Sequence, residues 1–516
     1  MNSNRFKLML TAIAVVALVI NSFNQDSLNL KRESLGLTRL EPLENAPPML
    51  AFTTVALGGF RGLIVNFLFI RSNQLQGKGL YFETLTLGDW ITKLQPTFTP
   101  VWRFQAWNMA YNISRVFEYP KDRWGWVWSG IKLMRDEGLK YNPTDPEMYR
   151  ELGWFFYDKI GRYSETEHFE YKRIFHEMTE EVFPTGKPDF DALENPKTDE
   201  ERKRARLLKE RFNMDLKFLR DTEEKFGPLE WRLPEAHAIY WSVVGMNKAN
   251  SGDPMVMFRV IWQSMQMTFQ RGVININPFD GRVEFSPNLD AIPKVNETYE
   301  VVKSLIPERA DYVARGQETF LHEAIYLLYL HGRKKEAAEW YHYVRTAIPT
   351  IQYTWVKDMQ LDQFVMLNVQ RTVNRSSPFR SKAVIEAYLM NYFYHLAVGQ
   401  NSLARGNALF ARKTYDLYHE RFSNSVEDIQ ALSSFEQIRI AVLINCLSGQ
   451  GRFSAVMGER LRVRLGLPDD WRDKVSKGVL NNIDEKKAFN VDAELKPVSP
   501  DAGTAVEKAA TASEEK

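Results

Sequence analysis

Cysteine is nearly missing from this sequence: Cys446 stands alone among 516 residues. One thiol can form neither an internal disulfide nor a thiolate zinc cage, so packing must hold the fold. That composition suits either side of a bacterial inner membrane. Net charge is nearly missing too, with 67 Lys plus Arg against 65 Asp plus Glu, a formal +2. No whole-molecule field is left to draw in DNA, RNA or an anionic surface, and no nucleic-acid partner is expected. The short motifs of catalysis are absent as well. The sequence has no Gly-x-x-x-x-Gly-Lys phosphate loop and no Gly-x-Ser-x-Gly elbow. His176-Glu177 and His322-Glu323 each open like a zinc-protease helix, but Glu180 and Tyr326 stand where the second histidine must be. No metal, no cofactor and no catalytic set is expected, although a fold can still bring distant residues together.

What is present is an echo. Pro96 is followed six residues on by Trp102 and eleven on by Trp107, and Pro143 is followed at the same offsets by Tyr149 and Trp154. A proline that ends one helix, then two bulky aromatics on the next, is the pattern of stacked helical hairpins. Hydrophobic content of 44% with 26% charged residues is that of a folded chain. A length of 516 residues implies two or three domains, or one solenoid.

The N-terminus carries an address. Arg5 and Lys7 precede an apolar stretch from Leu8 to Ile20, broken only by Thr11. Thirteen residues is signal-peptide length; Phe6 to Phe23 makes a marginal span against the about 20 needed to cross a bilayer. No clean small-x-small cleavage site follows, so residues 1–24 read as an uncleaved anchor contacting the membrane through residues 8–23. Basic residues before the span hold the N-terminus in the cytoplasm and place the bulk in the periplasm. Met49 to Ile70 is also almost wholly apolar, broken by Arg61 and Asn66. It reads as a buried first helix with Arg61 paired or snorkelling; if it spans instead, the bulk returns to the cytoplasm.

Residues 25–48 are a polar linker, 49–181 N-terminal helical repeats, and 182–300 a helical region with inserted loops. Helices are expected over Leu80–Leu94, Val101–Arg115, a segment capped by Asp122 and running to Gly138, and Glu147–Ile160. Val182 to Asp199 reads as a loop. Thr198 with Glu201 makes a capping box for a helix whose stripe, Ala205, Leu208, Phe212, Leu216 and Leu219, continues to Gly227-Pro228. Val273–Ile276 and Arg282–Phe285 flank Asn277-Pro-Phe-Asp-Gly281, a small hairpin inserted between helices. Residues 301–484 return to repeats, with helix pairs turning at Gly332, at Gly399 and at Gly449–Gly451. Residues 485–516 are a disordered tail rich in Ala, Glu, Lys, Pro and Thr.

Gly332, Ala337, Trp340 and Pro349 fall at the offsets of the tetratricopeptide repeat, and this segment resembles that family. Gly58-Gly-Phe-Arg-Gly, Gln105-Ala-Trp-Asn-Met-Ala-Tyr-Asn-Ile-Ser114 and the segment from Trp231 to Trp241 are similar to a group of bacterial membrane-anchored repeat proteins. The resemblance implies a fold and a membrane context. It carries over no activity, cofactor or catalytic residue.

Three segments are candidates for chemistry. Trp102, Trp107, Tyr111, Trp124, Trp126 and Trp128 crowd together as groove filling or as a stacking surface; Trp126 points away from the Trp124–Trp128 face and is the surface candidate. Trp231, Arg232, Glu235 and His237 lie around Pro234, which suits the first turn of a helix. They read as a structured lead-in to a repeat helix, with Arg232 tying down a loop carbonyl, or as a site for an anion or for acid–base work. The basic run Arg202–Arg206 is interleaved with acids and reads as a solvated face. The expected fold is all-α: a tetratricopeptide-like superhelix of helical hairpins with an N-terminal anchor and a small inserted hairpin. The expected function is a non-catalytic scaffold that docks other proteins in its groove, with Trp340 among the candidate contacts. The alternative is an envelope enzyme or a glycan- or small-ligand-binding module using the Trp-rich or Trp231–His237 region.

Overall fold

The computed structural model describes residues 60–162, 167–249, 253–276, 283–347, 359–375, 378–422, 432–449 and 453–471, with Ser27, Leu30 and Lys31. The expected anchor, most of the linker and the tail lie outside them, as do Pro349 and the side chain of Arg61. Helix dominates, so the chain is all-α as expected. Among the described residues no helix is long and apolar enough to cross a membrane. The chain divides into two compact units, residues 1–101 and 102–516.

In the first unit α1 (Phe60–Gly77) packs on α2 (Tyr81–Leu94). Val65 and Leu75 are buried, and Ser72 and Thr84 cross-bond to each other's carbonyls at 3.5 and 3.4 Å. The opposite face of α1 is not buried: Leu63, Phe67 and Ile70, spaced as one helical stripe, are all exposed.

The second unit opens inside the first of the two echoed helices. α3 runs through Thr99–Trp107, widens to a π-helical turn over Asn108–Ile113 and ends at Ser114–Val116. After α4 (Pro120–Lys132, a π turn over Leu133–Gly138, then Leu139–Tyr141) comes α5, which runs through Pro146–Trp154 and widens over Phe155–Gly161. In α3 and α5 the π turn starts twelve residues after the marker proline, and the aromatic six residues after it, Trp102 or Tyr149, is buried. The aromatics eleven residues on are only partly covered in both. The echo therefore extends to backbone geometry. One cap differs from expectation: α4 starts at Pro120, which needs no N–H partner at a first helical position, and Asp122 lies inside the first turn.

α6 (His168–Glu180) and the short α7 (Phe190–Glu194) precede α8 (Asp199–Glu210). The capping box forms: Glu201 N–H donates to Thr198 Oγ1 at 3.2 Å and Thr198 N–H donates to the Glu201 carboxylate at 3.1 Å. The helix does not continue to Gly227. It stops at Glu210, Asn213 takes a left-handed φ of 51°, and α9 restarts at Leu216–Phe226 with the Asp215 carboxylate accepting from Lys217 N–H at 2.8 Å. Asn and Asp tolerate that turn and cap the helix after it, which is the physical reason a continuous stripe was cut. Leu208, Phe212 and Leu219 are buried all the same.

α10 (Pro234–Lys248) is buried on every side from Pro234 to Gly245, and it packs on α5, α9 and α11 (Met255–Arg271). Two glycines let it approach so closely. A Cβ on Gly153 would lie 3.1 Å from the Ala238 carbonyl, and one on Gly245 would lie 2.6 Å from Tyr149 Cβ. β1 (Val273–Ile276) and β2 (Val283–Ser286) then form the expected hairpin, antiparallel with Val273 opposite Ser286.

From α12 (Ile292–Leu305) onward the helices pack as neighbours. α13 (Ala310–Leu330) pairs with α14 (Lys334–Ala347); α15 (Leu361–Arg375) follows. α16 (Pro378–Ala397) pairs with α17 (Asn401–Arg421), and α18 (Phe435–Leu447) with α19 (Ala455–Arg464). These three hairpins turn at Gly332, Gly399 and Gly449, with φ of 80°, 80° and 71°. Only glycine adopts that conformation without penalty, so the same residue closes each pair.

Candidate functional site

The Trp231–His237 segment is an internal turn. Trp231 and His237 are fully buried, and Glu235 nearly so. Trp231 Nε1–H donates to Glu223 at 2.8 Å, and burial raises the Glu223 carboxyl above its ordinary range while that bond opposes the shift. Arg232 forks onto Glu230 at 2.7 and 2.8 Å, and its reach to the Pro184 carbonyl is 3.5 Å. Its principal partner is thus a carboxylate rather than the loop carbonyl. His237 Nε2–H donates to the Trp231 carbonyl at 3.0 Å inside a ring of Phe156, Phe175, Phe212 and Trp231. Burial pushes its imidazole down to about 3, so it stays neutral.

Glu235 turns away from His237 to Arg271, 36 residues further along the chain. Both members of this ion pair are 2% exposed, and the Arg271 guanidinium also lies 5.6 Å from the Phe379 ring centre. Gly161 makes room for the pair, since a Cβ there would stand 3.3 Å from Arg271 and 3.4 Å from Glu235. Nearby, Lys172 Nζ lies 2.9 Å from His168 Nδ1. Burial, helped by the Arg271 charge, drives the Lys172 amine well below its ordinary value, and burial pushes His168 down to about 2. Four helices meet here around charge that solvent does not reach. The Glu235–Arg271 pair was not legible in sequence because its members lie 36 residues apart.

The tryptophan-rich segment reaches this turn through shared aromatics, since Trp124 and Trp128 pack on Phe175 and Trp128 on Phe212. Trp126 is half-buried and stacks on Phe117 at 6.0 Å, while Trp124 is buried against Trp128 at 5.7 Å. Trp340 on α14 is half-buried and meets Tyr343 edge-on at 5.5 Å.

The break after α8 creates a feature that sequence spacing did not indicate. A cleft of about 790 Å³ opens where the last turns of α4, the start of α5, α7, α8, α9 and α10 converge. That volume suits a ligand of drug-like size. Its walls are mixed: Arg135, Asp136, Asn213 and Asp215 line it together with Leu216 and the buried Leu208, Tyr240 and Val244. Lys140, Lys209 and Lys248 stand at its rim, all exposed. The signal that marked it was Asn213-Met-Asp215, a turn sequence inside an apolar stripe. A second cleft of about 580 Å³ lies between α11, α12, α13 and α16, where Glu323 and Arg380 pair at 2.9 Å.

No family model, curated protein or solved structure matches this chain. Among the described residues no group of acids, histidines or cysteine could hold a metal ion.

Proposed function

We propose that this protein is a membrane-tethered scaffold of tetratricopeptide-like hairpins that docks partner proteins and performs no catalysis. The observation that carries the reading is the outer face of the last two hairpins. On α17, Leu403, Phe410 and Leu417 fall seven residues apart and are 53%, 47% and 39% exposed. On α19, Val456 and Val463 repeat the spacing at 65% and 63% exposed. Seven residues is two helical turns, so each set forms one apolar stripe. A partner helix bearing its own seven-residue stripe fits such a face.

The tether rests on Arg5 and Lys7 before the Leu8–Ile20 run, which directs the bulk to the periplasm. The exposed Leu63, Phe67 and Ile70 stripe on α1 supports a membrane context for the first unit.

The test is crosslinking in intact membranes, then purification of the full chain carrying a C-terminal tag. A stoichiometric partner is expected, with crosslinks on α17 and α19. The triple variant Leu403→Asp/Phe410→Asp/Leu417→Asp should lose that partner at least tenfold while its helical circular dichroism stays unchanged. A wild-type chain that purifies alone, or a variant that keeps the partner, overturns the scaffold reading.

A further inference from the structure

We infer that the second cleft, between α11, α12, α13 and α16, binds an acidic glycan, with one pyranose ring laid on Tyr312 and a carboxylate of the sugar held by Arg315.

The shape comes from three helices in a row. α12 packs on both α11 and α13, so the cleft is a trough between the flanking pair. On α13 its lining follows one face from Tyr312 to Glu323, about 16 Å of helix. Gly316 leaves the middle of that wall bare. A Cβ there would touch only the Tyr299 ring, at 3.5 Å.

The floor is closed to an apolar guest. Phe269, Tyr299 and Phe320 are buried and packed on one another, with ring centres 5.1 and 5.6 Å apart. A hydrocarbon chain, or the apolar side chain of a peptide, finds no pocket among them. What reaches solvent is flat or polar. Tyr312 is 68% exposed, Arg315 and Thr319 are exposed, and Gln266 and Gln270 are half-buried. A pyranose has the same two characters. Its C–H face is apolar and slightly positive, which suits the negative face of an aromatic ring, and each edge hydroxyl both donates and accepts.

The groups such a ring needs are uncommitted. Among the described residues Tyr312 stacks on no other ring, and neither the Gln270 amide nor the Arg315 guanidinium has a partner. Gln266 Nε2–H donates to the Tyr299 hydroxyl at 2.8 Å, which leaves its carbonyl oxygen to accept from a ligand. An amide carries donor and acceptor side by side, so it can bridge neighbouring hydroxyls. The charge follows by subtraction. Arg380 forks onto Glu323 through Nε and Nη2, both at 2.9 Å, and the two cancel. Arg315 is the charge left over in the lining, and its planar fork matches a carboxylate. The site uses none of the residues of the α17 and α19 stripes, and either assignment can fail without the other.

The experiment is saturation-transfer NMR on the full chain in a sugar-free detergent. The probe is a tetrasaccharide of alternating glucuronic acid and N-acetylglucosamine. Saturation of its ring C–H protons is expected, and chitotetraose (same length, no carboxylate) should bind at least tenfold more weakly. Tyr312→Ala and Arg315→Glu change exposed side chains and should each weaken binding at least tenfold. Gly316→Leu, which fills the trough, should abolish binding while helical circular dichroism stays unchanged. No transfer to the wild-type probe, equal binding of chitotetraose, or unchanged binding in Tyr312→Ala or Gly316→Leu would each overturn the assignment. So would displacement of the probe by tetraglutamate or by adenosine monophosphate, which share its charge but not its rings of hydroxyls.

Discussion

From α3 to α11 the second unit carries charge on its inside, and from α16 to α19 it carries apolar side chains on its outside. The first stretch buries Arg271, Glu235, Lys172 and three histidines, bends its helices through π turns, and breaks one helix to open a cleft. The second uses plain helical hairpins turned on glycine, and its buried Lys382 is paired one turn away with Glu386 at 3.1 Å. Irregular backbone lets groups far apart in sequence converge on one interior point. The hairpin stretch makes such contacts too, with Lys382 donating to the Phe285 carbonyl at 3.0 Å, but it also repeats an exposed apolar surface. The contrast puts buried, irregularly assembled charge in one stretch and exposed apolar stripes in the other.

The largest effect that should break this contrast is at the buried ion pair. Removing one partner by Glu235→Ala or Arg271→Ala leaves a charge in the core and should cost about 3–5 kcal/mol. Urea denaturation is the measurement, and the double change Glu235→Leu/Arg271→Met should cost less than the two single losses summed. Additive losses would show that the two side chains do not act as a pair. Next comes Gly245→Ala, whose Cβ meets Tyr149 and Met257 and should cost about 1–3 kcal/mol by overpacking α5 against α10. A neutral result would mean that α10 can shift outward.

Acid should sharpen the contrast. His237 is neutral when folded because burial holds it down to about 3, whereas in the unfolded chain it takes up a proton near about 6.5. Below that value the unfolded state gains a proton the native state refuses. The stability this histidine contributes is therefore full above about pH 6.5 and falls toward about 3, by up to about 1.4 kcal/mol per pH unit. Urea melts of His237→Gln between about pH 7 and 5 should show a slope flatter by that amount; an unchanged slope would place the titration elsewhere. The smallest effect is on the α17 stripe. Leu403→Asp alone should change stability by less than about 0.5 kcal/mol, since the side chain is already exposed; a larger loss would mean the face is covered.

Much of this architecture was legible along the chain. The Pro96 and Pro143 echo marked equivalent helices, Thr198 and Glu201 marked a helix start, and the segments flanking Asn277–Gly281 formed a hairpin whose second strand, Val283–Ser286, lies one residue beyond the expected Arg282–Phe285. Each of these signals acts within a few residues, which is the range over which sequence spacing is read. The Asp122 cap and the run-through from α8 into α9 were misread for a local reason also. Pro120 and Asn213 changed the backbone first, and the apolar spacing could not show it.

Helices, their turns and their apolar faces were determined by the sequence alone, because backbone hydrogen bonding and side-chain periodicity operate between near neighbours. The tertiary structure alone decided that Trp231 and His237 face inward, that Glu235 meets Arg271, and that a cleft opens at the break between α8 and α9. Those outcomes depend on where separate helices cross, and burial and electrostatic partnership are properties of that crossing rather than of any one segment.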